Sequence, residues 1–370
     1  MKVFGLLLAA LLLSACEQPV APLYMPEGEA YPQTLSEWGM LQRHAGYLQP
    51  AAAVLPYDLN TPLFSDYAHK LRTLWLPPGS VAQYGEAQFD YPLGTVLSKT
   101  FYYPKDAQGQ LLFEQTALRD PQRGLALARV QLIETRILLR QQDGWVALPY
   151  VWDAAQQEAH LEWAGARVEL NVRDATGQAQ ALTYQVPDAN QCAGCHEERD
   201  GQGVVPLGPK ARHLNKAFAY ADGVRNQLQD WQQRGWLRGL PDMAGVPQNA
   251  LWPQARAGES LQQQARSYLD VNCAHCHNAQ GPARTSGLLL DTATAMGIPF
   301  GLCKQPVAAG KGSGDRLVDI HPGRPAQSVL VFRLESVDPS IMMPELGRSM
   351  AHREGVELLT RWIASLDGDC

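Results

Sequence analysis

Three hydrophobic patterns succeed one another along the 370 residues. The chain opens on an apolar run, Val3 to Leu13, behind a single lysine at position 2. That run is too short for a permanent bilayer span. Its basic start and small residues before position 16 predict a secretory signal over 1–15. From 34 to 187, apolar and polar residues alternate with period 2, in "TVLSKTFYYP", "ETRILLRQQDGWVALPYVW" and "ARVELNVRDATGQAQALTYQV". Asp143-Gly144 and the "DATGQ" stretch around Gly177 predict tight turns. A mainly antiparallel β domain, sandwich or partial barrel, is expected over 34–187.

The period then changes. "ESLQQQARSYLDVN" sets Leu261, Ala265, Tyr268 and Leu269 on one helical stripe, with Ser260 as its cap. "HREGVELLTRWIASL" aligns Val356, Leu359, Ile363 and Leu366 on one face. "VRNQLQDWQQRGWL" predicts a helix facing the core through Val224, Leu228 and Trp231 and stopped by Gly235. A mainly α region in two units, 188–258 and 259–370, is therefore expected after the β domain, giving a multidomain chain.

Composition narrows the functions. Hydrophobic content of 45% suffices for more than one core, and a net charge of −6 offers no basic surface for nucleic acid. Trp75, Tyr102, Tyr103, Trp145, Tyr150 and Trp152 are expected to fill the β core rather than line a binding face. His69 and His160 stand isolated, as structural or exposed histidines do. No Ser/His/Asp set, glycine-rich nucleotide loop or spaced carboxylate pair is readable, so no catalytic residue is assigned.

Seven cysteines remain, at 16, 192, 195, 273, 276, 303 and 370. Leu13-Ser14-Ala15-Cys16 looks like a bacterial lipoprotein signal, in which Cys16 is lipidated and becomes the mature N-terminus. The plainer alternative is an ordinary signal peptide. Glu17 resembles an outer-membrane sorting residue, and prolines at 19, 22, 26 and 32 suit a tether over 16–33. In an oxidising envelope Cys303 and Cys370 are expected to pair across 66 intervening residues, unless Cys303 stays buried and reduced.

The other four cysteines form "CAGCH" at 192–196 and "CAHCH" at 273–277. A zinc ribbon needs two C-x-x-C pairs close in sequence, whereas 77 residues separate Cys195 from Cys273. A redox dithiol needs one motif and no adjacent histidine. Covalent haem attachment uses all three residues: two thiols form thioethers, and the histidine ligates iron. Two haems c are expected, one on Cys192 and Cys195 with His196, the other on Cys273 and Cys276 with His277. His275 is then a spacer whose side chain points away.

From 185 to 370 the chain resembles the diheme c-type cytochromes of bacterial envelopes. Its last unit is similar to class I cytochrome c, in which a helix leads into C-x-x-C-H and crosses a C-terminal helix. Across "YPLGTVLSKTF", "GPKARHLN", "YLDVNCAHCHN" and "MMPELGRS" the wider chain resembles a family of exported diheme cytochromes. The resemblance implies methionine as sixth ligand of the second iron; Met343, before proline, is preferred to Met342, and the Pro282 carbonyl is expected to orient His277. For the first iron Met243 is preferred, with His213 as the alternative and an open iron as a third option.

The expected activity is a periplasm-facing, lipid-anchored electron relay to or from a partner redox protein, with the β domain as a docking module. Its rivals are a diheme peroxidase-like enzyme with an open or switchable first haem, and a binding module that uses its haems as props.

Overall fold

The computed structural model describes residues 30–114, 118–174, 176–196, 203–307 and 310–370. Cys16, the signal and the tether up to residue 29 lie outside the described residues.

A six-stranded antiparallel sheet organises the chain. In spatial order its strands are Ala159–Leu161, Gly144–Trp152, Val130–Gln141, Val96–Pro104, His69–Trp75 and Leu55–Tyr57. Alternation sends Ile137, Leu139, Leu148, Tyr150 and Trp152 to one face. There they pack on Trp38, Met40, Leu48 and Leu125 from the layer that holds a second, four-stranded sheet. Trp38 Nε1 donates to the Tyr150 hydroxyl at 2.6 Å, and that hydroxyl donates to the Pro32 carbonyl at 2.8 Å. All six aromatic residues named above are buried.

Leu74, Leu97, Leu138 and Trp145 point to the opposite face. Leu74, Leu97 and Trp145 share one core with Ala211, Leu214, Phe218, Trp231 and Leu237, and Leu138 packs against it. That core runs across residue 187, and strand Leu237–Arg238 pairs in parallel with Ala82–Gln83. A third sheet, built from Ala166–Arg173, Ala179–Val186 and Leu111–Leu112, packs beside them through Val172, Leu182 and Tyr184.

The region after 187 is not mainly α, and the chain as a whole is predominantly β. Its helices are α1 (Ala189–His196), α2 (Ala211–Leu214), α3 (Gln227–Gln233), α4 (Leu261–Asn272), α5 (Val329–Glu335) and α6 (Arg353–Ala364). Among the described residues none exceeds 12 residues. Prolines at 206, 209, 241, 247 and 253 deny the first unit longer helices, and those at 282, 299, 306, 322, 325 and 339 do the same for the second. The helix expected from Val224 begins only at Gln227; Val224 lies in strand Gly223–Asn226 and is exposed.

α4 and α6 form the frame of the last unit. Ser260 accepts from the Gln263 backbone N–H while the Gln263 side chain accepts from the Ser260 N–H, closing a capping box. Ala265, Tyr268 and Leu269 of α4 pack in one core with Leu358, Leu359, Trp362 and Ile363 of α6. The helices meet where α6 carries Gly355, whose hypothetical Cβ would stand 2.3 Å from the Tyr268 hydroxyl. A Cys303–Cys370 disulfide, with Cα atoms 5.3 Å apart, ties the C-terminus to this unit. Among the described residues, no helix is long and apolar enough to cross a membrane.

Gly355→Ala forces the Tyr268 ring aside and is expected to destabilise the protein by about 1–3 kcal/mol. The check is a denaturant midpoint compared with Gly245→Ala, whose Cβ would meet nothing within 4 Å and which should be near neutral.

Candidate functional site

Both C-x-x-C-H motifs contribute to the lining of one cleft. Its walls are the sheet face around Lys99 and Arg136, helix α1, the 207–213 segment, the end of α4 and the 344–348 loop. It encloses ≈ 1730 Å³ free of protein atoms, counting the part open to solvent.

The first motif is helical. The Asp188 carboxylate accepts from the Gln191 N–H at 2.8 Å, and the Asp188 carbonyl accepts from the Cys192 N–H at 3.0 Å, starting α1. The three-residue spacing brings both thiols to one side of the helix, which packs on strand Gly144–Trp152. Cys192, Cys195 and His196 all line the cleft. His196 Nδ1–H donates to the Val205 carbonyl at 2.7 Å, which leaves the lone pair on Nε2. Burial, aided by the Lys99 charge, pushes the His196 pKa down to about 3, so the imidazole is neutral at ordinary pH.

The second motif leaves α4 in a tight turn. The Cys276 and His277 N–H groups both donate to the Cys273 carbonyl, and Asn278 Nδ2 donates to the Ala274 carbonyl at 2.7 Å. Cys273 lines the cleft, while His277 is buried beside Ser286, whose hydroxyl lies 3.3 Å from Nδ1. Burial pushes its pKa down to about 4. Among the described residues no hydrogen bond joins this ring to the Pro282 carbonyl; its side-chain contact is the Ser286 hydroxyl.

The fold closes the 77-residue gap between the motifs. Cys195, His275 and Cys276 each place a potential ligand atom within 4.8 Å of the others. His275, expected to be a spacer facing away, lines the cleft instead, and its buried Nδ1 has no hydrogen-bond partner. Hydrogen bonds from Cys276 and His275 lower the Cys195 thiol pKa, and the same contact raises that of Cys276. Two cysteines and an imidazole so grouped also suit a zinc-like cation.

The sixth-ligand candidates separate. Met343 is half-buried in the 336–350 loop; its N–H donates to the Arg333 carbonyl, and its own carbonyl accepts from Arg348 at 3.0 Å. Pro344 and Leu346 from that loop line the cleft, whereas Met342 is the more buried methionine. Met243 lies in a short turn and packs against the Trp231 core, away from the cleft lining. His213 does line the cleft. Its Nε2–H donates to the Asp270 carboxylate at 2.9 Å, so the lone pair is on Nδ1, which is buried and unpartnered.

The sheet wall was not anticipated. Tyr57, Arg72, Lys99, Arg136 and Pro149 are successive cross-strand partners, and all five line the cleft. Arg72 donates to Asp58 at 3.0 Å; Arg136 donates twice to Glu134, at 2.6 and 2.8 Å. Glu134 is fully buried and also accepts from the Tyr184 hydroxyl at 2.7 Å. A sequence signal existed: "RTL", "LSK" and "RIL" each set a cation two residues from a core leucine, on the same face. Arg348 escaped notice as well; it is buried, donates to four backbone carbonyls and leaves Nε unpartnered at the cleft. His69 bonds the Glu114 carbonyl and His160 is exposed, so neither enters the site.

No family model, curated protein or solved structure matches the chain.

Glu134→Ala strands Arg136 in the sheet and is expected to cost about 3–5 kcal/mol, read as a lower denaturant midpoint. Arg136→Met together with Glu134→Met should recover most of that loss.

Proposed function

We propose that the protein is an exported, lipid-anchored diheme c-type electron carrier, with one haem on Cys192 and Cys195 and the other on Cys273 and Cys276. The observation that carries this reading is the cleft lined by both motifs, with His196 neutral and its Nε2 lone pair free. The donor set fits the cofactor: two thiol pairs spaced for thioethers, two neutral imidazoles, of which His277 is buried and His196 half-buried, and orphaned polar atoms on His213, His275 and Arg348 along the wall. Bound haem supplies a one-electron ferric/ferrous couple. The chain's own residues would attach and orient it and keep both histidines neutral. At the second site Met343, outside the cleft lining but on the loop whose Pro344 and Leu346 line it, would serve as a ligand together with His277. At the first, His213 is preferred to Met243, because its Nδ1 lone pair faces the cleft wall while Met243 is committed to the core. Lipid on Cys16 would hold the protein at the envelope membrane, facing a soluble redox partner.

A peroxidase-like activity is the second reading. It is favoured by the first site, where His213 has already committed Nε2, the nitrogen that histidines more often offer to iron.

Protein matured in an envelope-exporting host is expected to carry two covalent haems by intact mass and alkaline pyridine spectrum. Cys192→Ala with Cys195→Ala should remove one. A colourless chain holding stoichiometric zinc would overturn the proposal in favour of the Cys195–His275–Cys276 group. His213→Ala is expected to convert one haem from low to high spin, and Met243→Leu to change nothing. High-spin haem already present in the unaltered protein, with turnover of peroxide, would favour the enzyme.

A further inference from the structure

We propose that Lys99, held between Arg72 and Arg136 on one rung of the sheet, binds a carboxylate of the haem attached at Cys192 and Cys195. The proposal rests on reading the first motif as a haem attachment site.

Charge accounting along the cleft isolates this residue. Arg72 is paired with Asp58, Arg136 with Glu134, and Lys70 donates to the Leu63 carbonyl. Arg348 spends its terminal nitrogens on backbone carbonyls. Lys99 Nζ has no hydrogen-bond acceptor and no carboxylate within 4.0 Å among the described residues; it lies 5.4 Å from the Phe101 ring centroid. The nearest acids are engaged elsewhere. The Cys192 thiol, its pKa raised by burial, stays neutral and offers no counter-charge.

An ammonium flanked by two guanidinium groups is unfavourable, since like charges directly opposite on neighbouring strands repel, and either loss of its proton or an incoming anion relieves it. Burial, with Arg136 and Arg72, pushes the Lys99 pKa down to about 7. An anion pairing with Lys99 would come from outside the chain and enter the cleft that Lys99 and Cys192 both line. Haem meets these conditions. It carries two carboxylates on an otherwise apolar ring, at the edge opposite its vinyl groups, so attachment at Cys192 and Cys195 would carry them away from those thiols, across the cleft that Lys99 also lines. A carboxylate over Lys99 can also reach Arg72 or Arg136, whose present partners leave donors to spare. The β-sheet then serves as a wall of the haem site, which gives its cationic rung a function that a docking module does not need.

The test compares the unaltered protein with Lys99→Met and Lys99→Arg. Pyridine spectra first count covalent haem, expected to be two in all three. Spectroelectrochemistry is then expected to show one midpoint potential lowered in Lys99→Met, because an unneutralised carboxylate favours ferric iron, with the other unchanged. Lys99→Arg should restore it. Two haems with both potentials unmoved in Lys99→Met would overturn the assignment while leaving haem attachment standing. Absence of covalent haem from the unaltered protein would overturn both. Malonate that perturbs the unaltered protein and not Lys99→Met would assign the rung to a free dicarboxylate, against the haem. A denaturant midpoint for Lys99→Met no lower than the unaltered protein's would exclude misfolding as the cause of a shift.

Discussion

Arg72, Lys99 and Arg136 stand opposite one another on three neighbouring strands, where Cβ atoms are about 5 Å apart and like charges repel. The layers of the molecule meet in the groups that compensate this repulsion. Asp58 takes Arg72 and also Lys216, at 2.9 Å, drawing the segment after the first motif onto the sheet. Glu134 takes Arg136 and the Tyr184 hydroxyl, tying in the third sheet. Leu74, Leu97 and Leu138, two residues along the same strands, supply the apolar surface that Trp231 and Leu214 cover. One sheet face therefore does two jobs. Its leucine rung contributes to a core, and its cationic rung walls a cleft.

The two motifs reach that cleft by different physical routes. The second leaves a twelve-residue helix locked by a capping box and crossed by α6 at Gly355, so its position is set by helix packing. The first sits on an eight-residue helix too short to be stable alone, and the sheet beneath it supplies what a long leading helix would otherwise supply. The mixed contacts at Cys195, His275 and Cys276 follow from bringing these two frames together.

Legibility in the sequence followed the range of the interactions involved. Strand alternation, the α4 and α6 stripes and the Ser260 cap are local, and each was readable from a window of residues. The mainly α character expected after 187 failed because two good helical stripes were extended to segments whose prolines and glycines keep the chain irregular. Val224 shows the same error at one residue: its apolar side chain fitted a helical face, but the chain there pairs as a strand. Of the site, the motif residues were legible from spacing. The cationic rung, the position of His275 and the withdrawal of Met243 into the Trp231 core depend on contacts between residues scores of positions apart. Spacing alone made the motifs appear independent, and only strand register and core packing bring them to one cleft.

The central claim is that both motifs open onto one cleft, so two groups attached there would be near neighbours. Circular dichroism in the haem Soret band tests this most directly. The account predicts a two-signed, exciton-split signal in the unaltered protein that collapses to a single weak band when either motif loses its cysteines. An unsplit signal that equals the sum of the two single-haem variants would contradict it.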